Sequence, residues 1–254
     1  MTRLASLMHD GIAESVRSAD PYRGSAVRTP APGRFTLPLA AWHAWTPGNE
    51  AGTAAAFIDP LLRRRLSPLG KAGLQVAEQC AAGHQPLRIV YGSRHGELAR
   101  SAEMLTALSR RESVSPTSFS LSVLNALPGV YSIHRADRAP GTAISAGAET
   151  LGWSLVEAAT QYFSAPEQPV LMLYADAPLP ALYADRASGP AQLTVLGLLF
   201  AAGGAARLTV AYAPAAAGPP TADAQADVLL AALARQEPSR WHGAVRDWEW
   251  GLLE

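Results

Sequence analysis

Three short, almost uninterrupted apolar runs constrain this chain most: Leu87–Ser93 (LRIVYGS), Val170–Asp176 (VLMLYAD) and Gln192–Phe200 (QLTVLGLLF). A strand that is apolar on both faces needs cover on both sides, so each run reads as a buried strand inside a layered fold. Helical periods lie between the runs. In Glu149–Phe163, Leu151, Leu155, Val156, Ala159, Tyr162 and Phe163 form one apolar stripe. Glu97–Arg110 places Leu98, Ala102 and Leu105 on one face, and Glu97 in its first turn suits the helix dipole. Arg63–Ala82 also reads as helical, with Ser67-Pro68 as N-cap and first helical position. This alternation predicts an α/β layered fold with a mixed sheet.

Elsewhere the signals are more local. Phe35–Trp45 reads as a strand stopped by Pro47-Gly48. Gln192–Phe200 and Arg207–Tyr212 flank Gly203-Gly204 as the arms of a hairpin would. Ser113–Gly129 is a polar stretch, and Thr142–Ser145 a short strand. A last helix is expected over Asp223–Arg235, and Trp241, Trp248 and Trp250 should pack back on the body. Residues 1–33, ending in a Pro-, Gly- and Arg-rich tract, read as a flexible arm before a single domain over 34–254.

Composition narrows the function classes. Lys plus Arg (21) equal Asp plus Glu (21), so no net field draws the chain to nucleic acid or an anionic membrane. Cys80 is the only cysteine, which excludes an intramolecular disulfide and a multi-cysteine metal site; neither a metal nor a cofactor is expected. Asp10 and Glu14 interrupt the N-terminal segment, unlike a signal peptide, and no apolar run reaches the roughly 18 residues of a membrane span. The expected location is the cytoplasm.

The most informative segment is Ser115–Asp176, which contains SPTSFSLSVLNALPGVYSI, APGTAISAGAETLGWSLVEAA and VLMLYAD. In order and spacing it resembles the N-terminal domain of the β-ketoacyl synthases, the first half of a thiolase-like fold. There a Pro-x-x-Phe-Ser-x-Ser-Val-x-Asn-Ala segment precedes a strand, a nucleophile turn and a long buried helix. More narrowly, it is similar to the short ketosynthase-like chain-length factors of aryl-polyene clusters. Trp45-x-Pro47-Gly48, Arg63-Arg64-Arg65-Leu66-Ser67, Tyr91-Gly92-Ser93, Gly96-Glu97 and Asn125 also match, and the resemblance spans about Phe35 to Tyr212.

The resemblance implies decarboxylative Claisen condensation by a cysteine at the start of the long helix, its thiolate favoured by the helix N-terminus. Two histidines from the second half of the synthase would stabilise the enolate and its oxyanion. Alignment through Gly141–Gly147 puts Ala148 where the cysteine belongs, and a shift of one residue offers Gly147 or Glu149. None carries a thiol. Cys80 lies far upstream and reads as a small buried residue. Of six histidines, His9, His43, His84, His95 and His134 precede the turn and only His242 follows it. The chain therefore belongs by resemblance to an acyltransferase class without being expected to act alone.

The expected role is a non-catalytic partner or chain-length subunit. It would pair as a heterodimer with a complete β-ketoacyl-ACP synthase in fatty-acid-like or aryl-polyene (polyketide) biosynthesis. Thr142, Ala143, Ile144 and Ser145 would form the strand at the dimer axis. Phe119, Leu121, Leu124 and Leu127 would border the partner's acyl tunnel. Arg63, Arg64 and Arg65 could dock an acyl carrier protein, against the plainer reading of a solvated helix start. A homodimer of the chain alone is a further option. Two other classes compete. Ala143-Ile-Ser145-Ala-Gly147 is a variant of the Gly-x-Ser-x-Gly elbow and is followed by Asp176 and His242 in hydrolase order. A purely structural scaffold would influence no product. His95 reads as a loop histidine satisfied by backbone, Asn125 as a turn former, and Trp153, Tyr162 and Phe163 as core.

Overall fold

The computed structural model describes residues 31–45, 54–81, 83–183 and 190–253, and the body considered below is Pro32–Glu254. Most of the expected arm and the Pro47-Gly48 stop lie outside the described residues; Gly33 already opens the first strand.

The strands are β1 (Gly33–Ala44), β2 (Arg88–Gly92), β3 (Gly141–Ile144), β4 (Val170–Asp176), β5 (Thr194–Phe200), β6 (Ala206–Pro214), β7 (Ser239–His242) and β8 (Arg246–Leu253). The helices are α1 (Pro60–Arg63), α2 (Pro68–Ala81), α3 (Leu98–Ser109), α4 (Pro116–Ser120), α5 (Ala126–His134), α6 (Thr150–Ser164) and α7 (Gln225–Arg235). All eight strands join one sheet in the order β3-β2-β4-β5-β1-β6-β8-β7. β2, β3 and β4 run parallel to one another and every other pairing is antiparallel, so the sheet is mixed as expected.

The apolar runs are apolar on both faces because two cores flank the sheet. Ile89, Tyr91, Leu171, Leu173 and Leu199 point toward α2 and α5. Val90, Met172, Leu198 and Phe200 point toward α6 and α7. The second core continues through Leu208, Val210, Trp241, Trp248 and Trp250. The body of α6 packs on β2, β3 and β4, yet Trp153 in its first turn also meets Tyr212 of β6 and Trp248 of β8, with ring centroids 5.7 and 5.5 Å away. The sheet therefore coils around α6, an extreme of the usual twist of strands. The other end of this helix is held by Arg88. Its buried guanidinium donates to the carbonyl of Gln161 in the last turn at 2.6 Å, an oxygen a helix end leaves orphaned, and to those of Ala165 and Gln168 in the segment that follows at 2.7 and 2.5 Å.

Several local expectations are corrected. β5 and β6 do not form a hairpin: β1 lies between them and pairs with both. The Gly203-Gly204 turn crosses the middle of β1, where pairing passes from β5 to β6, and a Cβ on Gly204 would fall 2.7 Å from the Leu39 backbone. The helix expected over Arg63–Ala82 is two helices, with the Ser67 hydroxyl accepting from the Gly70 N–H (2.9 Å) at the start of α2. The polar stretch contains α4 and the start of α5, and the Trp-rich tail is a hairpin of β7 and β8. Phe163 is not core but 54% exposed, and Leu105 of the expected apolar face of α3 is 58% exposed. No helix among the described residues is long and apolar enough to cross a membrane.

Gly152 of α6 sits under the Trp248 ring, so close that a Cβ would lie 2.6–2.7 Å from three ring atoms. In an unhindered helix interior Gly→Ala gains about 1 kcal/mol, whereas overpacking costs roughly 1–3 kcal/mol. Gly152→Ala should therefore lower the thermal melting temperature by several degrees; a rise would show that β8 does not press on α6.

Candidate functional site

The strand, turn and helix singled out in the sequence stand together at one edge of the sheet. Among the described residues, β3 pairs only with β2. Ile89 N–H donates to Pro140 O and Ser93 N–H to Ile144 O, both at the inner edge. With the regular spacing of a parallel ladder, Thr142 and Ile144 turn their backbone groups to β2, and Gly141 and Ala143 turn theirs outward. Thr142 also accepts from the Gln161 amide of α6 at 3.0 Å. Ala143 packs toward the α2 core and Ile144 toward the α6 core.

After β3 the chain turns through Gly147, whose φ of 60° suits glycine. It then passes a single 3-10 turn over Gly147–Glu149 and enters α6 at Thr150. The Thr150 hydroxyl fastens this turn, accepting from Ala146 N–H (2.9 Å) and donating to Gly147 O (2.7 Å). Ala148 is exposed at the tip, where its methyl group offers no nucleophile. The adjacent Glu149 is buried and held through one carboxylate oxygen. Its carboxylate accepts from Arg246 of β8 (3.1 Å) and from the Trp153 indole (3.2 Å), while the Arg246 guanidinium lies over the Trp153 ring at 5.0 Å. Gln225 of α7 completes the helix start by accepting from Gly152 N–H at 2.9 Å.

Cys80 does not replace the missing thiol. It is buried in the core between α2 and the sheet, against Gly197 of β5, whereas α6 packs on the opposite face. Burial pushes its thiol up to about 12, the reverse of what a nucleophilic cysteine needs. His43 and His134 are exposed, the latter against the Phe57 ring. His242 Nδ1 pairs with Asp247 and its Nε2 faces Gly218 O at 3.3 Å.

These partners also overturn the hydrolase triad. The Ser145 hydroxyl donates to Arg94 O (3.0 Å), and the buried Asp176 accepts from Ser93 Oγ, Arg94 N–H, His95 N–H and Tyr174 OH at 2.7–3.1 Å. His242 is committed to Asp247, so the three residues do not assemble. Among the described residues, no group of three or more His, Cys, Asp or Glu side chains could hold a metal ion.

The remaining sequence candidates separate by environment. Leu121 and Leu127 are buried, Leu127 inserting over Gly73 of α2, while Leu124 is half-buried with its Cδ1 at Gly96. Phe119 stands 65% exposed near Val123, and α3, which packs on α4, adds exposed Leu105 and Leu108. Asn125 precedes α5 without capping it, and Glu97 precedes α3 rather than lying inside its first turn. Arg64 is exposed, Arg63 half-buried, and Arg65 donates to Thr117 Oγ1 at 2.7 Å.

Residues 40–251 match the family model of the β-ketoacyl synthase N-terminal domain. No curated protein sequence matches. Among solved structures, the chain is similar to one from the complex of a ketosynthase (ApeO) with its chain length factor (ApeC) from Xenorhabdus doucetiae. That match has 26% identity and a TM-score of 0.72 over 85% of this chain and 99% of the other, which is therefore itself short. A second similarity, in fold alone, is to the ishigamide ketosynthase/chain length factor, with 14% identity and a TM-score of 0.55 over 70% of this chain and 67% of that one.

Two outcomes follow from the buried thiol. Native protein should not react with a disulfide reagent such as DTNB near pH 7, and should release one equivalent on unfolding in guanidinium; fast native labelling would place Cys80 at the surface. Burial also raises Tyr91, Tyr131 and Tyr174. Folded values above the unfolded ones mean stability that is complete below the ordinary thiol value of 9.0 and is lost as pH rises toward about 12. Urea midpoints should therefore fall from pH 9 upward.

Proposed function

The chain belongs to the β-ketoacyl synthase N-terminal-domain family, and on that premise we propose that it is a non-catalytic, chain-length-type subunit that pairs with a complete β-ketoacyl-ACP synthase. The observation that carries this reading is the turn at Ala148, which has the strand-to-helix form of a nucleophile turn and no thiol. A Claisen condensation needs an acyl thioester on the enzyme, and neither Ala148 nor the engaged carboxylate of Glu149 can form one. What the site offers instead is an edge. Outward-facing backbone groups on β3 call for a second strand, and exposed Phe119, Val123, Leu105 and Leu108 supply apolar surface on α3, on α4 and just beyond it. The similarity to a chain of a ketosynthase–chain length factor complex supports the choice of partner.

The pathway proposed is fatty-acid-like or aryl-polyene biosynthesis in the cytoplasm. In this reading exposed Phe119 and half-buried Leu124 border the acyl chain on the partner, and buried Leu121 and Leu127 support them from within. Arg64, with Arg63, is the basic group open to an acidic carrier protein; Arg65 is already bonded.

Co-expression with a complete synthase should give a stable heterodimer by native mass spectrometry, and a chain that never co-purifies with any synthase rejects the reading. Ala143→Pro removes an outward N–H and no β2–β3 bond, so it should weaken the complex at least tenfold while leaving the isolated chain folded. In the reconstituted complex, Phe119→Ala or Leu124→Ala should shift the acyl products toward greater length. An unchanged product distribution would leave only the scaffold role.

A further inference from the structure

The chain between β6 and α7, residues 215–224, runs as a mostly exposed strap along the β7–β8 hairpin. Ala215 N–H donates to Val245 O at 3.0 Å and Ala216 N–H to Asp247 Oδ2 at 3.3 Å. At the other end Thr221 N–H donates to His242 O at 2.7 Å, and the Thr221 hydroxyl accepts from His242 N–H at 2.9 Å. Asp223 O accepts from the Trp241 indole at 2.9 Å. Between these pins Pro219 and Pro220 have no N–H to offer. Among the described residues, the middle of the strap is hydrogen-bonded to the hairpin through one group, the Gly218 carbonyl, which faces His242 Nε2 at 3.3 Å. Gly218 has a φ of 152°, a conformation that disfavours a side chain, so glycine is what lets the strap present that carbonyl.

The His242 ring therefore stands between two acceptors. Nδ1 pairs with Asp247 Oδ1, and Nε2 faces the Gly218 carbonyl. A neutral imidazole has one N–H and cannot donate to both. Asp247 could donate only as the neutral acid. Burial by itself would raise its carboxyl, but Arg240, the Ala216 N–H and His242 outweigh burial and hold the group below the ordinary carboxylate range. Whichever partner carries it, satisfying both ring nitrogens takes one proton more than a carboxylate and a neutral imidazole hold. The charges around the ring are few. Asp247 faces it from β8, while Arg240 of β7 lies on the other carboxylate oxygen at 2.5 Å and also pairs with Glu249 at 3.7 Å. Arg246 is turned to Glu149, and Asp223 reaches the hairpin through its carbonyl. Residues 215–222 of the strap and 243–245 of the hairpin turn carry no titratable side chain.

We propose that His242 is a proton-operated latch: the protonated ring bridges Asp247 and the Gly218 carbonyl and holds the strap on the hairpin, and loss of that proton frees the middle of the strap. The latch lies at the end of the strand order opposite β3 and is independent of the chain-length role. Its direction follows from the proton count. Closing the strap takes up one proton, so closure is complete at low pH and is lost as pH rises. The Arg240 charge opposes a protonated ring and so favours release. Opening bares the backbone N–H and C=O of His242 on the outer side of β7, groups that Thr221 otherwise covers.

Amide hydrogen exchange of the full chain tests this, with rates corrected for the chemical pH dependence of exchange. Release of one proton changes an opening equilibrium by at most about tenfold per pH unit, and histidine ordinarily changes charge between about pH 5 and 8. Between pH 6 and pH 8 the protection of the Ala216 and Thr221 N–H groups should fall roughly tenfold, while β6 amides paired with β8 keep theirs. His242→Gln removes the titrating ring and should make strap protection the same at both pH values. Nitrogen-15 spectra of the wild-type imidazole carry the test if this variant unfolds by circular dichroism. Both His242 ring nitrogens should bear protons at pH 6, and one should lose its proton over the range in which the strap loosens. Wild-type protection that does not change with pH overturns the proposal. So does a fall of the same size in His242→Gln, or a neutral His242 ring at pH 6 beneath a protected strap.

Discussion

Everything in this structure depends on covering one helix. α6 carries apolar residues well around its circumference: Leu151, Leu155, Ala158 and Ala159 are buried, and Trp153 is partly so on a further side. A flat sheet could cover only one stripe of such a helix. The solution is a single sheet long enough to coil. Its parallel half supports the body of α6, and β6 and β8 bring Tyr212 and Trp248 against its first turn. Close approach is possible because Gly152 presents no side chain where the Trp248 ring lies. α7 then seals the same core with Leu229 and Leu233, and Gln225 caps a helix N–H that would otherwise be buried without a partner.

The parts of this architecture legible in the sequence are those whose cause is local. Runs apolar on both faces identified β2, β4 and β5, and a continuous helical stripe identified α6. The Ser67-Pro68 pair marked the start of α2 to the residue. The errors share a different cause. Two strands around a Gly-Gly pair have the form of a hairpin, and nothing near Gly203 reveals that a strand from the far N-terminal side will enter between them. That decision is made by Leu37 and Leu39 finding the core. β8 carried a readable signal. Trp248 and Trp250 alternate with Asp247 and Glu249, a period of two that marks a strand with one buried face. α4 and α5 escaped because both are short, α4 polar and α5 interrupted by Pro128-Gly129, so that packing beside α3 and α2 rather than their own periodicity stabilises them.

At the candidate site the sequence revealed the missing chemistry better than the geometry. That Ala148 carries no nucleophile can be read from one letter. That Glu149, beside it, is bound to Arg246 cannot, since 97 residues separate the partners. A buried ion pair contributes little net free energy once both charges have been desolvated. Its effect here is better described as registry. The pair, with Arg246 over Trp153, fixes which residue of β8 meets the first turn of α6. The turn between β3 and α6 is thereby fastened to the C-terminal hairpin, and the Thr150 hydroxyl within it is used in holding shape.

The two edges of the sheet differ in a way that bears on the proposed role. At one edge, β7 is tied back into its own surroundings: His242 N–H donates to Thr221 Oγ1, Thr221 N–H returns to His242 O, and Asp247 gathers Arg240 and Ala216 N–H. At the other, β3 is paired on one side among the described residues, and Ser145 turns back to Arg94 O. An edge strand left open is a hazard that folds usually blunt with charge, proline or cover. Gly141-Thr142-Ala143-Ile144 has neither charge nor proline. The same end of the sheet holds the loops after β2, β3 and β4, two of them locked by Asp176. Buried hydrogen bonds thus hold the loops beside the turn at Ala148, the position where the sequence offers no thiol.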